Sequence, residues 1–388
     1  MRLKQVLLFS LLLLAAGLFR ADGSGEAAAT NRPKIGLVLS GGGAKGIAHI
    51  GVLKVLEELN VPIDYIAGTS MGAIIGGLYA SGLSPEEIQQ VLMDIDWNDA
   101  LRDSSSRQYL TFRRKEDNRR YLLDLEMGVK NFKLLMQPGL LSGYKLEYYL
   151  QTATLHASTI RDFDRLNIPY RAVATDVDTG EKVVLAGGDF ANAMRASMAV
   201  PGLFSPVEVD GRMLVDGGLV DNMPVDVVRG MGAEVVIAVD VGAAADRGAK
   251  GPKTLLDITG RMMAILTRAN VQSQSRDADL VLKPDLTGLS PADFALVNRF
   301  VPRGEQCVQT DQDALKKYAA DPDRYRAWLE RQRSKSVVPL RVASVRIEMP
   351  GRWEAFRDAA MPALNLRYLS SIILLDGRLD FVSAQSLE

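Results

Sequence analysis

The sequence is poor in the residues from which metal centres, disulfides and histidine-based catalytic triads are built. Its 388 residues include one cysteine, Cys307, and two histidines, His49 and His156. A single cysteine excludes an intrachain disulfide and a cysteine metal cluster. Two histidines leave little material for a histidine metal site and restrict any Ser-His-Asp triad to two candidate bases.

The chain also lacks an excess of charge of either sign. It carries 46 Lys and Arg against 47 Asp and Glu, a formal net charge of −1, so bulk charge gives no argument for nucleic-acid binding. A hydrophobic fraction of 47% and a charged fraction of 24% are ordinary for a globular protein. The length allows one large domain with an appendage, or two domains.

Long apolar runs are absent except near the N-terminus, where one covers residues 6–19. Two basic residues precede this run and small or polar residues follow it at 21–25, which is the pattern of a secretory signal peptide. We predict a signal peptide over residues 1–23, with an approximate cleavage site, and a linker over 24–32. The mature protein is then exported and is periplasmic, outer-membrane-associated or secreted; the alternative is an uncleaved membrane anchor.

Strand-like and helix-like segments alternate from residue 34 onward, and the strands are short and apolar, as expected of strands buried on both faces. The strand candidates are residues 34–40, 64–69, 170–177, 183–185 and 235–241. The helix candidates lie after residue 46, at 71–81, at 190–199 and after Ser84, where a capping box is present. A hairpin is predicted over 207–215 around an Asp-Gly turn. This alternation predicts an α/β fold with a mostly parallel sheet and helices on both faces.

The residues around Ser70 have the form of a nucleophile turn. The strand candidate at 64–69 runs directly into residues 68–72 (GTSMG), a G-x-S-x-G motif, and then into a helix candidate. A turn this sharp tolerates only small neighbours, which explains Gly68 and Gly72, and the helix N-terminus favours developing negative charge. We interpret Ser70 as the nucleophile; the alternative is a plain glycine-rich turn.

The base that would activate this serine is not supplied by an obvious histidine. His156, the only histidine after the serine, has no acid motif close before it, and His49 lies in the first turn of a predicted helix, where packing or capping is expected. A carboxylate paired with the serine is the alternative, and Asp216 is the best candidate because it ends a strand, at the edge where sites form in α/β sheets. Gly217 and Gly218 follow it. An Asp-Gly pair alone is more often just a turn. The preceding hairpin already has its own Asp-Gly turn, which weakens that interpretation for Asp216.

Three motifs together resemble the signature of one family, the patatin-like phospholipases. A G-G-G-x-[KR]-G loop stands at Gly41–Gly46, G-x-S-x-G at Gly68–Gly72 and D-G-[AG] at Asp216–Gly218. The stretches GVLKVLEEL, RAVATDVDTGE and DGGLVDNMPVD also look like bacterial members, and the resemblance covers roughly residues 33–300. It implies a three-layer α/β/α fold, a serine–aspartate dyad, and lipid acyl hydrolase activity with no metal in the chemistry. The chain is similar in particular to the passenger domain of exported members that carry a C-terminal outer-membrane barrel.

The glycine loop also satisfies G-x-G-x-x-G, the dinucleotide-binding pattern. A Rossmann site needs an acidic residue at the end of the second strand, whereas here that strand ends in the serine motif. A P-loop is excluded because Ile47 follows Gly46 and the G-K-[ST] order is absent. We therefore interpret Gly41, Gly42 and Gly43 as an oxyanion hole, since amides without side chains in the way can converge on the oxygen of a tetrahedral intermediate.

Several further side chains are candidates for support of the site. Lys45 either reinforces the glycine loop or meets a headgroup phosphate, the alternative being a surface charge, and Arg195 either lies near the site or supports the structure. An acyl chain needs an apolar channel, although core packing is the alternative for each candidate. These candidates are Met198, Val200, Leu203, Phe204, Met262, Met263, Ile265 and Leu266.

The predicted reaction is hydrolysis of the fatty-acyl esters of phospholipids through an acyl-enzyme on Ser70, with Asp216 as base. Because the ordinary pKa of an aspartate is about 3.9, the dyad requires burial to raise the pKa of Asp216. We expect a phospholipid membrane or lipid aggregates as partner, no nucleic acid and no cofactor, and the sequence leaves a homodimer open. The alternatives are an esterase or thioesterase acting on small soluble acyl substrates, and a non-catalytic lipid-binding protein.

The resemblance also suggests how the chain is divided. We predict a patatin-like catalytic core over 33–245, a helical extension packing on it over 246–335, and a short C-terminal segment over 340–388 that corresponds to a truncated periplasmic module. Residues 102–120 carry seven basic side chains. They form either a solvated loop or a surface that contacts anionic phospholipid headgroups.

Overall fold

The computed structural model describes residues 32–100, 127–130, 133–136, 141–242, 265, 267–268, 270–334, 345–346 and 379–380. The predicted signal peptide and the basic segment 102–120 therefore lie outside the described residues. The chain divides after Pro33, and the fold below belongs to the unit that begins at Lys34. Within the described ranges, no helix combines the length and the apolarity needed to cross a bilayer.

The secondary structure alternates between strands and helices, as the sequence predicts. The strands are β1 Ile35–Leu39, β2 Tyr65–Thr69, β3 Met127–Lys130, β4 Lys133–Met136, β5 Tyr170–Asp176, β6 Lys182–Leu185, β7 Val207–Val209, β8 Arg212–Asp216, β9 Val235–Val239, β10 Leu280–Leu282, β11 Val345–Arg346 and β12 Leu379–Asp380. The α-helices are α1 Ala48–Glu58, α2 Met71–Ala80, α3 Pro85–Asp94, α4 Trp97–Ala100, α5 Tyr144–Ala153, α6 Phe190–Ser197, α7 Val225–Gly230, α8 Val297–Thr310, α9 Gln312–Lys316 and α10 Pro322–Ser334.

The central sheet is mostly parallel. Its strand order is β10-β9-β1-β2-β5-β8-β7, and β6 also pairs with β5. Strands β10, β9, β1, β2 and β5 run parallel, whereas β6 and β8 are antiparallel to β5 and β7 is antiparallel to β8. The carboxyl ends of β1 and β2 therefore meet at one edge of the sheet, so the glycine loop after β1 and the serine turn after β2 are neighbours.

Helices cover both faces of this sheet. Leu37 and Leu39 of β1 belong to the large apolar cluster that includes α1 and α2, whereas Val38 between them belongs to a second cluster with Val225 and Val228 of α7. Because successive residues of a strand point to opposite faces, the two clusters lie on the two sides of the sheet. The predicted three-layer α/β/α arrangement with a mostly parallel sheet is confirmed.

Two local predictions from sequence are also confirmed. The capping box of α3 is formed, because the Glu87 amide donates to Ser84 Oγ at 3.2 Å and the Ser84 amide donates to Glu87 Oε2 at 2.7 Å. The β7–β8 hairpin turns at Asp210 and Gly211, whose φ angles of 51° and 76° are those of the primed turns that match strand twist.

The prediction that the extension over 246–335 is helical is wrong in one respect. Leu280–Leu282 forms β10, which pairs with β9 in the central sheet, so the sheet continues beyond residue 245. A three-residue apolar strand within a polar, helical stretch has no periodicity long enough to identify it from sequence. The rest of the described extension is largely helical, with α8, α9 and α10.

Helix α8 packs closely on α1 through two glycines. A Cβ atom added to Gly304 would lie 2.0 Å from the Ala48 carbonyl oxygen, and one added to Gly51 would lie 2.0 Å from the Val301 carbonyl oxygen. Side chains at these two positions would separate the helix axes. The contact therefore joins α8 to the helix that follows the glycine loop.

We expect Gly304→Ala to lower the free energy of unfolding by about 1–3 kcal/mol, because the added methyl group meets backbone that cannot move independently of α1. Urea denaturation measures this change. Gly230→Ala at the end of α7 is the matched control, since a Cβ atom there meets nothing within 4 Å. Equal stability of the two variants would contradict the steric explanation.

Candidate active site

Ser70 lies on a strained turn between β2 and α2. Its φ and ψ are 55° and −124°. This conformation is energetically unfavourable for any residue other than glycine, and it is found mainly at functional positions. A Cβ atom on Gly68 would lie 2.4 Å from the Gly72 carbonyl oxygen, and one on Gly72 would lie 2.1 Å from the Leu39 carbonyl oxygen. The turn that the G-x-S-x-G motif predicts is present, and both glycines are needed for its close approaches.

The backbone of Ser70 is held by a residue that the sequence analysis did not single out. The Ser70 amide donates to Ser197 Oγ at 2.9 Å, and Ser197 Oγ donates to the Val173 carbonyl oxygen at 2.5 Å. Ser197 is fully buried at the end of α6. It connects the nucleophile turn to β5, and nothing in its sequence neighbourhood distinguishes it from other buried serines.

Asp216 is brought to Ser70 by the antiparallel pairing of β8 with β5. Its backbone is held on both sides, since its amide donates to the Ala199 carbonyl oxygen at 2.9 Å and its carbonyl accepts from Thr175 Oγ1 at 3.0 Å. Its carboxylate accepts a hydrogen bond from the Gly218 amide at 2.7 Å, and the Ser70 side chain lies close enough to lower the pKa of the carboxyl group. The two residues predicted as a dyad therefore lie next to each other.

Burial changes the acid strength of this carboxyl group. Only 3% of Asp216 is exposed, and this burial raises the pKa of Asp216 to about 6, against the opposing effect of the hydrogen bonds from Ser70 and Gly218. The carboxylate is thus mostly ionised at neutral pH, and it binds a proton far more readily than an exposed aspartate does.

The glycine loop lies against Ser70, and two of its backbone amides are available as hydrogen-bond donors. A Cβ atom on Gly41 would lie 3.0 Å from the Ser70 Cβ atom. The Gly41 amide itself donates to the Asn222 carbonyl oxygen at 3.3 Å, so its predicted place in the oxyanion hole is wrong. In the described part of the chain, no hydrogen bond uses the amide of Gly42 or Gly43, and the predicted hole is reduced to these two donors.

The remaining motif glycines allow the loops to meet. A Cβ atom on Gly46 would lie 2.5 Å from Met71 Cγ, and one on Gly217 would lie 2.2 Å from the Val173 carbonyl oxygen. At Gly218 it would lie 3.0 Å from Asp216 Oδ1. Each of these glycines therefore stands where a neighbouring side chain or backbone segment comes too close for a larger residue.

Neither histidine is hydrogen-bonded to the nucleophile. His49 is fully buried with its Nε2 bonded to the Ser40 carbonyl oxygen at 2.8 Å, and burial lowers the pKa of His49 to about 4. His156 bonds the Ser81 carbonyl and hydroxyl oxygens at 3.2 Å and 3.0 Å. This contact with Ser40, the residue directly before the glycine loop, agrees with the packing or capping role expected of His49.

The two cations near the motifs are both buried. Lys45 is 6% exposed, so the surface-charge alternative for it is wrong. Arg195 is 1% exposed, donates to the Ser142 carbonyl oxygen at 2.8 Å and lies over the Phe204 ring at 4.7 Å. The Arg195 side chain therefore supports the packing of segments beside α6, which is the second of the two roles predicted for it.

The acyl-channel candidates fall into two groups. Met198 and Phe204 are buried within the apolar core, whereas Ile265 is 68% exposed, so these three do not share one environment. Met262, Met263 and Leu266 lie outside the described residues.

A serine at a strained turn, next to a buried carboxylate and to backbone amides without partners in the described residues, is an arrangement suited to nucleophilic acyl transfer. Residues 37–229 match the family model described as patatin-like phospholipase. This chain belongs to the patatin-like phospholipase family.

Curated relatives share this region of the chain. Lysophospholipase NTE1 of Saccharomyces cerevisiae is 36% identical over 213 residues, which are 55% of this chain and 11% of that protein. Patatin-like phospholipase domain-containing protein 6 of Homo sapiens is 34% identical over 216 residues, 54% of this chain and 13% of that protein. An uncharacterised NTE family protein of Mycobacterium tuberculosis is 34% identical over 218 residues, 55% of this chain and 50% of that protein. The chain spans half or less of the length of these relatives.

Solved structures match this chain at lower identity. VipD from Legionella pneumophila matches with a TM-score of 0.37 and 16% identity, over 73% of this chain and 67% of that chain. Human GIVD cytosolic phospholipase A2 matches with a TM-score of 0.39 and 12% identity, over 77% of this chain and 60% of that chain. The family assignment rests on the sequence match.

We expect Asp216→Asn to stabilise the protein at pH 8 and to have little effect at pH 4. The folded wild type holds the carboxyl proton up to about pH 6, whereas the unfolded chain releases it near its ordinary pKa of about 3.9. The wild type therefore loses stability as the pH rises through this window, by on the order of 3 kcal/mol, and the amide does not.

Urea denaturation at the two pH values measures this difference. Asp210→Asn is the control, because it makes the same change at an exposed Asp-Gly turn. A stability difference for Asp216→Asn that does not depend on pH would show that ionisation of a buried Asp216 is not its cause.

Proposed function

We propose that this protein is a lipid acyl hydrolase of the phospholipase A type. It cleaves the fatty-acyl esters of phospholipids through an acyl-enzyme on Ser70, with Asp216 as the base and the amides of Gly42 and Gly43 as oxyanion donors. The observation that carries the proposal is the position of Ser70, on its strained turn, next to the buried Asp216 carboxylate. The family match and the names of the yeast and human relatives support the lipid substrate.

The reaction proceeds in two steps. Ser70 Oγ attacks the ester carbonyl carbon while Asp216 takes its proton, and the carbonyl oxygen becomes an oxyanion facing the Gly42 and Gly43 amides. When the intermediate collapses, the alcohol leaves with the proton from Asp216, and Ser70 retains the acyl group. Water then gives its proton to Asp216 and attacks the acyl-enzyme, which releases the fatty acid and restores Ser70.

The raised pKa of Asp216 makes this dyad workable without histidine. A carboxylate with a pKa of about 6 accepts the serine proton against a smaller free-energy difference than one with the ordinary pKa of about 3.9. An ideal general base has a pKa near the working pH, and the burial of Asp216 moves it in that direction. The proposal assigns no step to a metal or cofactor.

Vesicles of phosphatidylcholine and phosphatidylglycerol with a fluorogenic acyl chain provide the test. The wild type is expected to release fatty acid, and Ser70→Ala and Asp216→Asn are expected to lose at least about 10³-fold in rate, because each removes a group that acts in the transition state. Ser158→Ala and Asp210→Asn are matched controls, since they make the same changes outside the site and are expected to keep wild-type activity.

The other outcomes each select a different conclusion. Hydrolysis of soluble p-nitrophenyl esters or acyl thioesters, but not of vesicles, would favour the small-substrate esterase. Vesicle binding with neither hydrolysis nor labelling of Ser70 by a fluorophosphonate would indicate a non-catalytic lipid-binding protein. Labelling of Ser70 without hydrolysis of any of these substrates would mean that the serine is competent and that the substrate class is wrong.

The pH dependence of kcat/KM should report Asp216 directly. Only the ionised carboxylate can take the serine proton, so we expect kcat/KM to fall about tenfold per pH unit below a midpoint near the pKa of about 6. Initial rates between pH 4 and 9 on a soluble ester measure this limb without changes in lipid packing. A midpoint close to 4 would mean that the catalytic carboxylate is solvated rather than buried.

We also propose that the protein is exported, and that it works in the periplasm, at the outer membrane or outside the cell. The basic, apolar and then small-residue pattern of residues 1–23 supports this location. Mass spectrometry of the N-terminus, on protein from the extracytoplasmic fraction, tests it. Recovery of the intact N-terminus from the cytoplasm alone would contradict it.

A further inference from the structure

Asn222 lies between the glycine loop and the loop that carries the catalytic aspartate. It follows Asp216 by six positions and is 4% exposed. Its Nδ2 donates to the Gly41 carbonyl oxygen at 3.2 Å, and its own carbonyl oxygen accepts the Gly41 amide at 3.3 Å. Both backbone polar groups of Gly41 are therefore bound by this one residue.

The Asn222 carboxamide fills space that two motif glycines leave open. A Cβ atom on Gly41 would lie 2.6 Å from Asn222 Oδ1, and one on Gly218 would lie 2.9 Å from the same oxygen. Gly218 is also the residue whose amide donates to Asp216 Oδ1 at 2.7 Å. The first glycine of the G-G-G motif and the last glycine of the D-G-G motif thus make room for the same side chain.

The bond from Asn222 sets the direction of the Gly42 amide. In a planar trans peptide the C=O and the following N–H point in opposite directions. Holding the Gly41 carbonyl toward the Asn222 carboxamide therefore turns the Gly42 N–H to the opposite side of the peptide plane. The direction of the peptide between Gly42 and Gly43 is set by a different bond. The Gly42 carbonyl accepts a hydrogen bond from the Lys45 amide at 3.3 Å, and Asn222 takes no part in that bond.

Asn222 is itself fixed by its surroundings. Its amide donates to Asn270 Oδ1 at 3.3 Å, and Asn270 Nδ2 donates to the Val220 carbonyl oxygen. The neighbouring Asp221 carbonyl accepts from Thr69 Oγ1, in the residue before the nucleophile, at 2.8 Å. A rigid holder of this kind can keep a donor in place before the reaction begins, which is the condition under which oxyanion stabilisation is effective.

We propose that Asn222 is a positioning residue for catalysis, which orients the Gly42 amide toward the oxyanion. The inference rests on the proposed hydrolase function. It assigns different roles to Asp216 and Asn222, which lie six positions apart. Asp216 accepts and returns the proton, and Asn222 orients the Gly42 amide that donates to the oxyanion. Without the carboxamide, the peptide between Gly41 and Gly42 loses the hydrogen bond that sets its direction. The Gly42 N–H then points toward the oxyanion in only a fraction of the molecules.

The test compares Asn222→Ala with Asn270→Ala. Asn270 is a helical residue whose carboxamide is hydrogen-bonded to the backbone of Val220 and Asn222. Both variants remove a carboxamide from this contact, but only the first removes the side-chain bond to the Gly41 carbonyl oxygen. For Asn222→Ala on a soluble p-nitrophenyl ester we expect kcat to fall by up to about 10²-fold, the lower end of the cost of one oxyanion donor, with KM changed less than about twofold. The rate of fluorophosphonate labelling should fall in parallel, because that reaction also develops negative charge on an oxygen.

Three readouts distinguish this role from a merely structural one. The midpoint of the acidic limb of kcat/KM should stay near that of the wild type, since Asp216 is untouched. Asn270→Ala should lose less kcat than Asn222→Ala at a similar or larger cost in melting temperature. The isosteric Asn222→Asp keeps the volume but loses the donor to the Gly41 carbonyl, so it should not restore kcat.

Distinct results would overturn the inference. A wild-type kcat in Asn222→Ala, an equal loss in Asn270→Ala, or a shifted acidic limb would each show that Asn222 does not act through the Gly42 amide. Wild-type activity in Asn222→Asp would show that only the volume of the side chain matters. These failures leave the wild type active, whereas a wild type that neither hydrolyses nor labels would contradict the proposed function as well.

Discussion

The contact between the Ser70 side chain and the buried Asp216 carboxylate is the interaction on which the rest of the site depends. Burying a carboxylate costs free energy unless polar contacts offset the lost hydration, and here the Gly218 amide and the Ser70 side chain offset part of that cost. The part of the cost that is not offset appears as a pKa of about 6. That raised pKa is what allows an aspartate to act as a base, while His49 is bonded to Ser40 and remains uncharged at neutral pH.

The contact can form only because three loops approach more closely than side chains would permit. Carbonyl oxygens or side-chain atoms lie within 3 Å of where a Cβ atom would stand at Gly41, Gly72 and Gly217. The central sheet brings these loops together, since the glycine loop and the nucleophile turn follow adjacent parallel strands. Asp216 comes from the antiparallel β8, which joins the sheet through β5.

The sequence predicts the regular parts of the fold well because they depend on local patterns. The apolar runs at 34–40 and 64–69, the capping box at Ser84 and the hairpin turn at Asp210 each have a physical cause within a few residues. The errors fall where the cause is distant. Strand β10 is defined only by its pairing with β9, Lys45 is buried by the packing around its loop, and the Gly41 amide is bound by a residue 181 positions away.

The amino-acid sequence by itself determined the nucleophile turn, the glycine positions and the lack of a histidine base, because steric limits on a sharp turn and the count of histidines are local or compositional facts. Only the tertiary structure decided that Asp216 is buried against Ser70, that Ser197 and Asn222 hold the two halves of the site, and that Gly42 and Gly43 keep their amides available. Those outcomes depend on desolvation and on hydrogen bonds between segments more than a hundred residues apart. Such bonds come into existence only when the sheet has assembled.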